Sequence, residues 1–467
     1  MDGLEAIEIN LSICKNIIDF RIDASTYKKN YVKTDRILKS LNVCSIEDIM
    51  KSIQNFGAYS LCNDIVFVDQ GIPFLMTQNI RHNYIDWNDV RYVDEASHSM
   101  LHKSHCKKGQ VLVTMAGEYL GRVAVYDQDF VCSSNQAIAK VTLKDGISPY
   151  YVAAFLNSRY GQNQINRFKT VTGQPNINMA LIKSLMVPLP SVKFSNIIED
   201  TIKEGLLLYE NSKAIMKEAE QLLIETLRLQ NFNFQTEQYS IKSLKNSFGN
   251  TGRLDAEFYQ KKYDTIEKAL RDYDKEAKRL NELAVYIFTG QYAKEYFDYE
   301  RGRVYYIRGT DIGQGAVEKN NNYCVDSVQY SKFVKEGDIV TGRVGTIGNF
   351  GVIDEKLDGA VCSDNVLCFH LPENYVPEVY VLYFNLSVIN ELIARLTRGS
   401  VQQRLNQETL RDILVPFINI EVQEELRKII IRSREMELNS KKAWDNAVLM
   451  VEMAIEQGEE MALKSYE

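Results

Sequence analysis

The sequence predicts a mixed α/β protein: two pseudo-repeated α/β domains separated by long helices that pack against each other as an antiparallel coiled coil. Three observations carry that prediction. Motifs recur in the same order at an offset of 232, which drifts to 228 and 230 further along the chain. Each copy holds β-branched runs bounded by glycine turns, with helical segments between them. A proline-free stretch with apolar residues at steps of three and four follows each copy.

The first copy opens at Arg21-Ile-Asp-Ala-Ser-Thr-Tyr27 and the second at Arg253-Leu-Asp-Ala-Glu-Phe-Tyr259, followed by Tyr31 and Tyr263. Next, the run from Ile72 to Ile80 answers that from Val304 to Ile312, each an apolar strand that leaves its sheet at Asn79 or Asp311. The stretches Lys107 to Thr114 and Lys335 to Thr341 read as glycine turns feeding β-branched strands, and Gly117 and Gly345 come after them. Val131-Cys-Ser-Ser-Asn135 then matches Val361-Cys-Ser-Asp-Asn365. Helical segments are expected over 150–156 and 378–386. The copies close with Gly173 to Asn178 and Gly399 to Asn406, which lead to Val187-Pro188 and Val415-Pro416.

The long helices are expected over 196–229, with Ile198, Ile202, Leu206, Ile215, Ala219 and Leu222, and over 422–457, with Trp444, Val448, Val451 and Ile455. An apolar stripe of that length needs a covering surface; the other helix is the obvious one, the alternative being that each helix simply caps its own domain. The resulting division is 1–190 and 233–418 for the two domains, 191–232 for a central helix that spaces them, and 419–467 for a distal helix that pairs with it.

Bulk properties narrow the function. With 467 residues, 45% hydrophobic and 25% charged, the chain has the composition of a folded protein of two domains. Its net charge of −7 argues against a uniformly basic surface, so contacts with nucleic acid would depend on local Lys and Arg placement and be weak without partners. Eight cysteines without a C-x-x-C and five scattered histidines point to reduced thiols and no zinc site. No run of about 18 to 20 uncharged apolar residues occurs, so neither a membrane span nor a membrane partner is expected, and the acidic N-terminus MDGLEAIEIN is unlike a secretion signal. A cytoplasmic protein is expected.

The paired R-[IL]-D-A-x-x-Y openings, K-x-G-[DQ]-[IV] strands, G-x-x-Q-like turns, V-P and long helices resemble the specificity subunits of type I restriction-modification systems. The resemblance covers nearly the whole chain; the second half matches more closely, and the first departs at Thr172-Gly-Gln-Pro-Asn. It implies two target recognition domains, each reading half of a bipartite sequence in double-stranded DNA, and a coiled coil that sets their separation. Two methyltransferase subunits carrying S-adenosylmethionine would dock on it, restriction motor-nuclease subunits would join, and this chain would hold no cofactor and be no enzyme. Independently, no proline is adjacent to another, which removes the Pro-Pro-aromatic element of an adenine methyltransferase. No Gly-Lys pair exists for a nucleotide-binding loop, and Gly345-Thr-Ile-Gly348-Asn-Phe-Gly351 reads as a glycine-rich hairpin.

Base edges are told apart by Arg, Asn, Gln, Ser and Thr side chains. In the first copy these gather at Gln78, Asn79 and Arg81, at Arg122, and at Thr172, Gln174 and Asn176. In the second they gather at Arg308 and Thr310, beside Asp311, at Arg343, and at Arg398, Ser400, Gln402, Gln403 and Arg404. Asn79 and Asp311 equally suit capping of their own backbone. Arg21, Asp23, Arg253 and Asp255 recur in both copies, whereas half-sites should differ, so these four are expected to hold structure. Two other readings fit the same pattern: a two-headed adaptor for protein or glycan, and a specificity subunit of another DNA-modifying defence complex.

Overall fold

The computed structural model describes residues 6–15, 20–57, 63–170, 173, 175–230, 240–245, 247–300, 302–345, 347–396 and 404–465. The chain divides into two compact units, Met1–Glu210 with Met436–Glu467, and Asn211–Glu435.

In the first unit an antiparallel sheet runs Met50–Gln54, Ile138–Leu143, Gln110–Thr114, Val123–Tyr126 in spatial order. All five residues of Gln110–Thr114 are buried because both faces of the strand are covered. Side chains alternate across a strand. Val111 and Val113 therefore enter the core with Tyr151 and Phe155 of the helix Pro149–Asn157, while Leu112 joins Leu75 and Ile80 on the other side. A second sheet orders Phe67–Val68, Arg91–Val93, Ile72–Leu75 and Ser133–Ser134, the last pair parallel. Val43–Ser45 and Met186–Pro188 close the unit as an antiparallel pair.

The second unit repeats this plan. Its large sheet orders Tyr286–Thr289, Val366–His370, Ile339–Gly342, Phe350–Val352 and Gly315–Ala316. Arg303–Ile307 lies between Cys324–Asp326 and, in parallel, Val361–Cys362. Lys278–Arg279 pairs with Leu414–Val415. Among the described residues no single helix is long and apolar enough to cross a membrane. The bent pair Pro377–Asn385 and Ser387–Leu396 owes its apolar character to the core of this unit, which it helps to form.

Recurrent polar residues clasp each unit shut. Asn157 ends its helix by donating to Val123 O at 2.8 Å and accepting from Val123 N at 3.2 Å. Asn385, 228 positions on, does the same to Phe350 at 2.8 and 2.9 Å. Arg167 donates to Thr26 O and lies 3.4 Å from Asp35; its counterpart Arg395 donates to Phe258 O and lies 3.2 Å from Glu267. The opening motifs behave as expected of structural residues: Arg21 pairs with Asp23 and Arg253 with Asp255, while Tyr27 and Tyr259 donate back to the carbonyls of Arg21 and Arg253.

Both long helices are present, as Val192–Thr226 and Ile420–Gln457. Each starts a few residues earlier than periodicity alone suggests, because Ser191 and Asn419 accept from Phe194 N and Glu421 N and so satisfy first-turn amides. In each unit the helices run antiparallel. In the first, Ser191 bonds Glu459 and the Trp444 indole donates to Ile202 O at 3.3 Å. Gly205 makes room for that indole: a Cβ there would sit 2.5 Å from Trp444 Nε1. In the second, Ser433 Oγ donates to Ser212 O, and Leu223 and Leu227 share a core with Leu426 and Ile430.

Lys140 is fully buried and donates to Ser134 Oγ at 2.9 Å. Burial pushes its ammonium down from 10.5 to about 8, against the smaller opposing influence of the Cys106 and Cys132 thiols. Between pH 8 and 10.5 the unfolded chain therefore holds a proton that the folded unit has released, so stability is expected to rise with pH across that window, by up to about 3 kcal/mol. Below pH 8 this group adds no slope. Both tryptophans, Trp87 and Trp444, lie in this unit, so their fluorescence during urea unfolding reports the effect. Lys140→Met should flatten the rise; a rise of equal size in the variant would assign it to other groups.

Candidate nucleic-acid interface

In each unit one short segment links a strand-end turn to a hairpin. In the first unit the strand Ile72–Leu75 runs into a turn at Thr77–Asn79, and Asn135 N donates to Leu75 O while Met115 N donates to Ala137 O. In the second, Arg303–Ile307 runs into a turn at Gly309–Asp311, with Ser363 N donating to Ile307 O and Arg343 N to Asn365 O. A third segment joins at the hairpin: Ile177 N donates to Met115 O, and Leu405 N donates to Arg343 O. The fold thus brings the described members of the three groups, Gln78 to Arg81, Arg122 and Asn176 in the first copy and Arg308 to Thr310, Arg343 and Arg404 in the second, onto segments that meet at one strand end.

Within that frame the candidates separate by what their side chains already touch. Gln78, Asn176, Thr310 and Arg404 are exposed. Asn176 is held through its backbone, by a bridge to Ala116 and a bond from its amide to Thr170 Oγ1 at 3.1 Å. Arg122 lies over the Tyr119 ring at 4.5 Å, and Arg81 reaches Asp86 at 3.3 Å. Thr172, Gln174, Arg398, Ser400, Gln402 and Gln403 lie outside the described residues.

Two candidates are engaged with their own turns. Asn79 is buried, accepts from Met76 N at 2.9 Å and donates to Asp86 O at 3.2 Å, so its amide holds the turn. Arg308 makes two bonds to the buried Asp311 carboxylate, at 2.7 and 3.1 Å, and covers Tyr323 at 3.4 Å. The Asp311 hydrogen bond raises the Arg308 pKa and fixes the guanidinium on its own turn. Asp311 also accepts from Arg308 N at 2.8 Å, the same capping geometry as Asn79. Arg343 is intermediate. Its Nη1 donates to Asp364 O at 2.8 Å, while its buried Nε meets no acceptor among the described residues.

Sequence reading passed over Asn157, Asn385, Arg167, Arg395 and Tyr119. The first four stood in plain view at an offset of 228, within helical segments where polar residues attract no notice. Tyr119 carries no repeat signal, and only the hairpin geometry brings it under Arg122. Among the described residues no cluster of three His, Cys, Asp or Glu is placed to hold a metal ion.

A family model described as the type I restriction modification DNA specificity domain matches residues 70–225 and again 273–442. The chain is 30% identical over 173 residues to the EcoKI specificity subunit of Escherichia coli K12, 35% of each chain. It is 22% identical over 158 residues to the StySPI specificity subunit of Salmonella potsdam, 33% of this chain and 34% of that one. These matches span about a third of the curated relatives' length. Among solved structures, a type I restriction-modification S subunit from M. genitalium aligns over 89% of this chain and 95% of its own, at 13% identity and a TM-score of 0.41.

Replacing Asn79 by Ala would leave the Met76 amide and the Asp86 carbonyl without their partner in a buried turn. A loss of about 1 to 3 kcal/mol is expected for the first unit, whereas Gln78→Ala, on an exposed side chain, should stay within about 0.5 kcal/mol of the parent. Tryptophan-monitored urea unfolding checks both; equal losses would mean that Asn79 does not support the turn.

Proposed function

The chain belongs to the type I restriction modification DNA specificity domain family, and on that premise we propose that it is the non-catalytic reader of a bipartite target in double-stranded DNA. Each unit reads one half-site. The observation that carries this reading is the family domain occurring twice in one chain, each copy presenting a different set of exposed polar side chains at the same strand end. Gln78 and Asn176 in one copy, and Thr310 and Arg404 in the other, are free to meet base edges, for which amides suit adenine and guanidinium suits guanine.

Chemistry is left to partners in the cytoplasm. Two methyltransferase subunits, which hold S-adenosylmethionine, dock on the chain, and restriction motor-nuclease subunits join them. The net charge of −7 fits a chain whose grip on the phosphate backbone is shared with such partners.

The modular reading is tested by transplanting residues 241–415 from a relative with a different target and reading the methylated motif from genomic DNA. One half-site should change and the other stay. A change in both would overturn the assignment of one half-site to each unit. A complex with the methyltransferase that shows no sequence preference would favour the two-headed adaptor instead.

A further inference from the structure

Arg122 is unusual among the half-buried arginines described. Arg167 pairs with Asp35, Arg279 and Arg395 with Glu267, and Arg308 with Asp311. The Arg122 guanidinium rests on Tyr119 and makes no hydrogen bond to any described residue, and its Nη1 is shielded from solvent without a partner. Beside it stands a second cation. Arg81 gives one Nη to Asp86, yet its Nε is likewise buried and unpartnered. Burial first, and the neighbouring Arg81 charge next, lower the pKa of Arg122. The carboxylate of Glu118 is felt at Arg122 without forming an ion pair with it.

Holding two cations together, partly out of water and with N–H groups to spare, is costly unless an anion completes the set. A neutral base edge would satisfy a donor but leave the charge. A phosphate group supplies both charge and several acceptors, and guanidinium donors match it well. Gly117 and Gly121, at φ +84° and +85°, take the left-handed turns that bracket the hairpin tip and bring Arg122 back over Tyr119. Among the described residues the second unit lacks this arrangement. Strand register places Val123 and Phe350 in equivalent positions, so Asn349 stands where Arg122 does, and Gly313 occupies the place of Arg81 at the 232 offset.

We propose that Arg81 and Arg122, with Tyr119 as a platform, form a site for one phosphate of the DNA backbone, an anchor present in the first unit only. This rests on the DNA-reading function proposed above, and makes the first unit the more salt-sensitive grip while base discrimination lies with the exposed residues.

The test uses the chain assembled with its methyltransferase partner, bound to target and scrambled duplexes over a salt series. Arg122→Gln should weaken both duplexes by the same factor, reduce the slope of log Kd against log salt by about 1, and leave the methylated motif unchanged. Arg122→Lys, which keeps the charge, should retain most of the slope and controls for folding. A changed motif, or an unchanged slope, overturns the assignment. A second arm titrates sodium sulfate against the chain alone and follows thermal unfolding: sulfate should stabilise the parent more than Arg122→Gln. Sulfate stabilisation lost in the variant, without duplex binding by the parent complex, would refute the DNA reading and give the site to a free phosphate-bearing ligand.

Discussion

An amphipathic helix of about ten turns cannot leave its apolar stripe in water, and both units depend on how that demand is met. The first unit completes its core only with the chain's last thirty or so residues, where Trp444, Ala447, Met450, Val451 and Ile455 join Phe194, Ile198 and Ile202. In the second, Ala219 and Leu223 from the central helix, and Leu227 just past its end, meet Leu426 and Ile430 from the distal one. The first unit is therefore discontinuous in sequence, and the second takes in parts of both long helices. Covering this much aliphatic and aromatic surface is the dominant favourable contribution to folding, and it ties each unit to segments more than two hundred positions apart.

On those cores the duplication acts as a sorting device. What must be identical in both copies recurs: the Arg–Asp–Tyr opening, the asparagine that pairs with a strand, the arginine that ties the start of the unit to a late helix. What differs lies at the strand ends. There the first copy carries one arginine over a tyrosine with a second arginine near it, while the second carries one arginine tied to its own carboxylate and another tied to a carbonyl. Interior satisfaction and outward recognition draw on the same residue types, so recurrence separates the two better than residue type does.

Much of the fold was legible because repetition and periodicity are both properties of order along the chain. Strand pairs such as Ile72–Leu75 with Ser133–Ser134, and Arg303–Ile307 with Val361–Cys362, join the motifs that matched by offset. Short elements without a repeat signal, such as Gly315–Ala316 at the edge of its sheet, were not legible, since two residues carry no period. The candidate site divided differently. Its place at the strand ends followed from glycine and polar residues bounding apolar runs. Which side chains are already engaged did not, as the turn contacts of Asn79 and Arg308 show.

By itself, the sequence determined that one α/β unit occurs twice, that a long amphipathic helix follows each copy, and that recurrent polar residues serve structure. Those conclusions need only residue order, spacing and the rule that an apolar stripe must be covered. Tertiary structure alone decided which polar side chains are already satisfied and which still hold unmet donors. Asn79 found Met76 and Asp86, and Arg308 found Asp311, whereas Arg122 found only an aromatic face and another cation. Hydrogen bonds and charge are settled by neighbours in space, and no spacing along the chain places Tyr119 beneath Arg122 or Arg81 beside it.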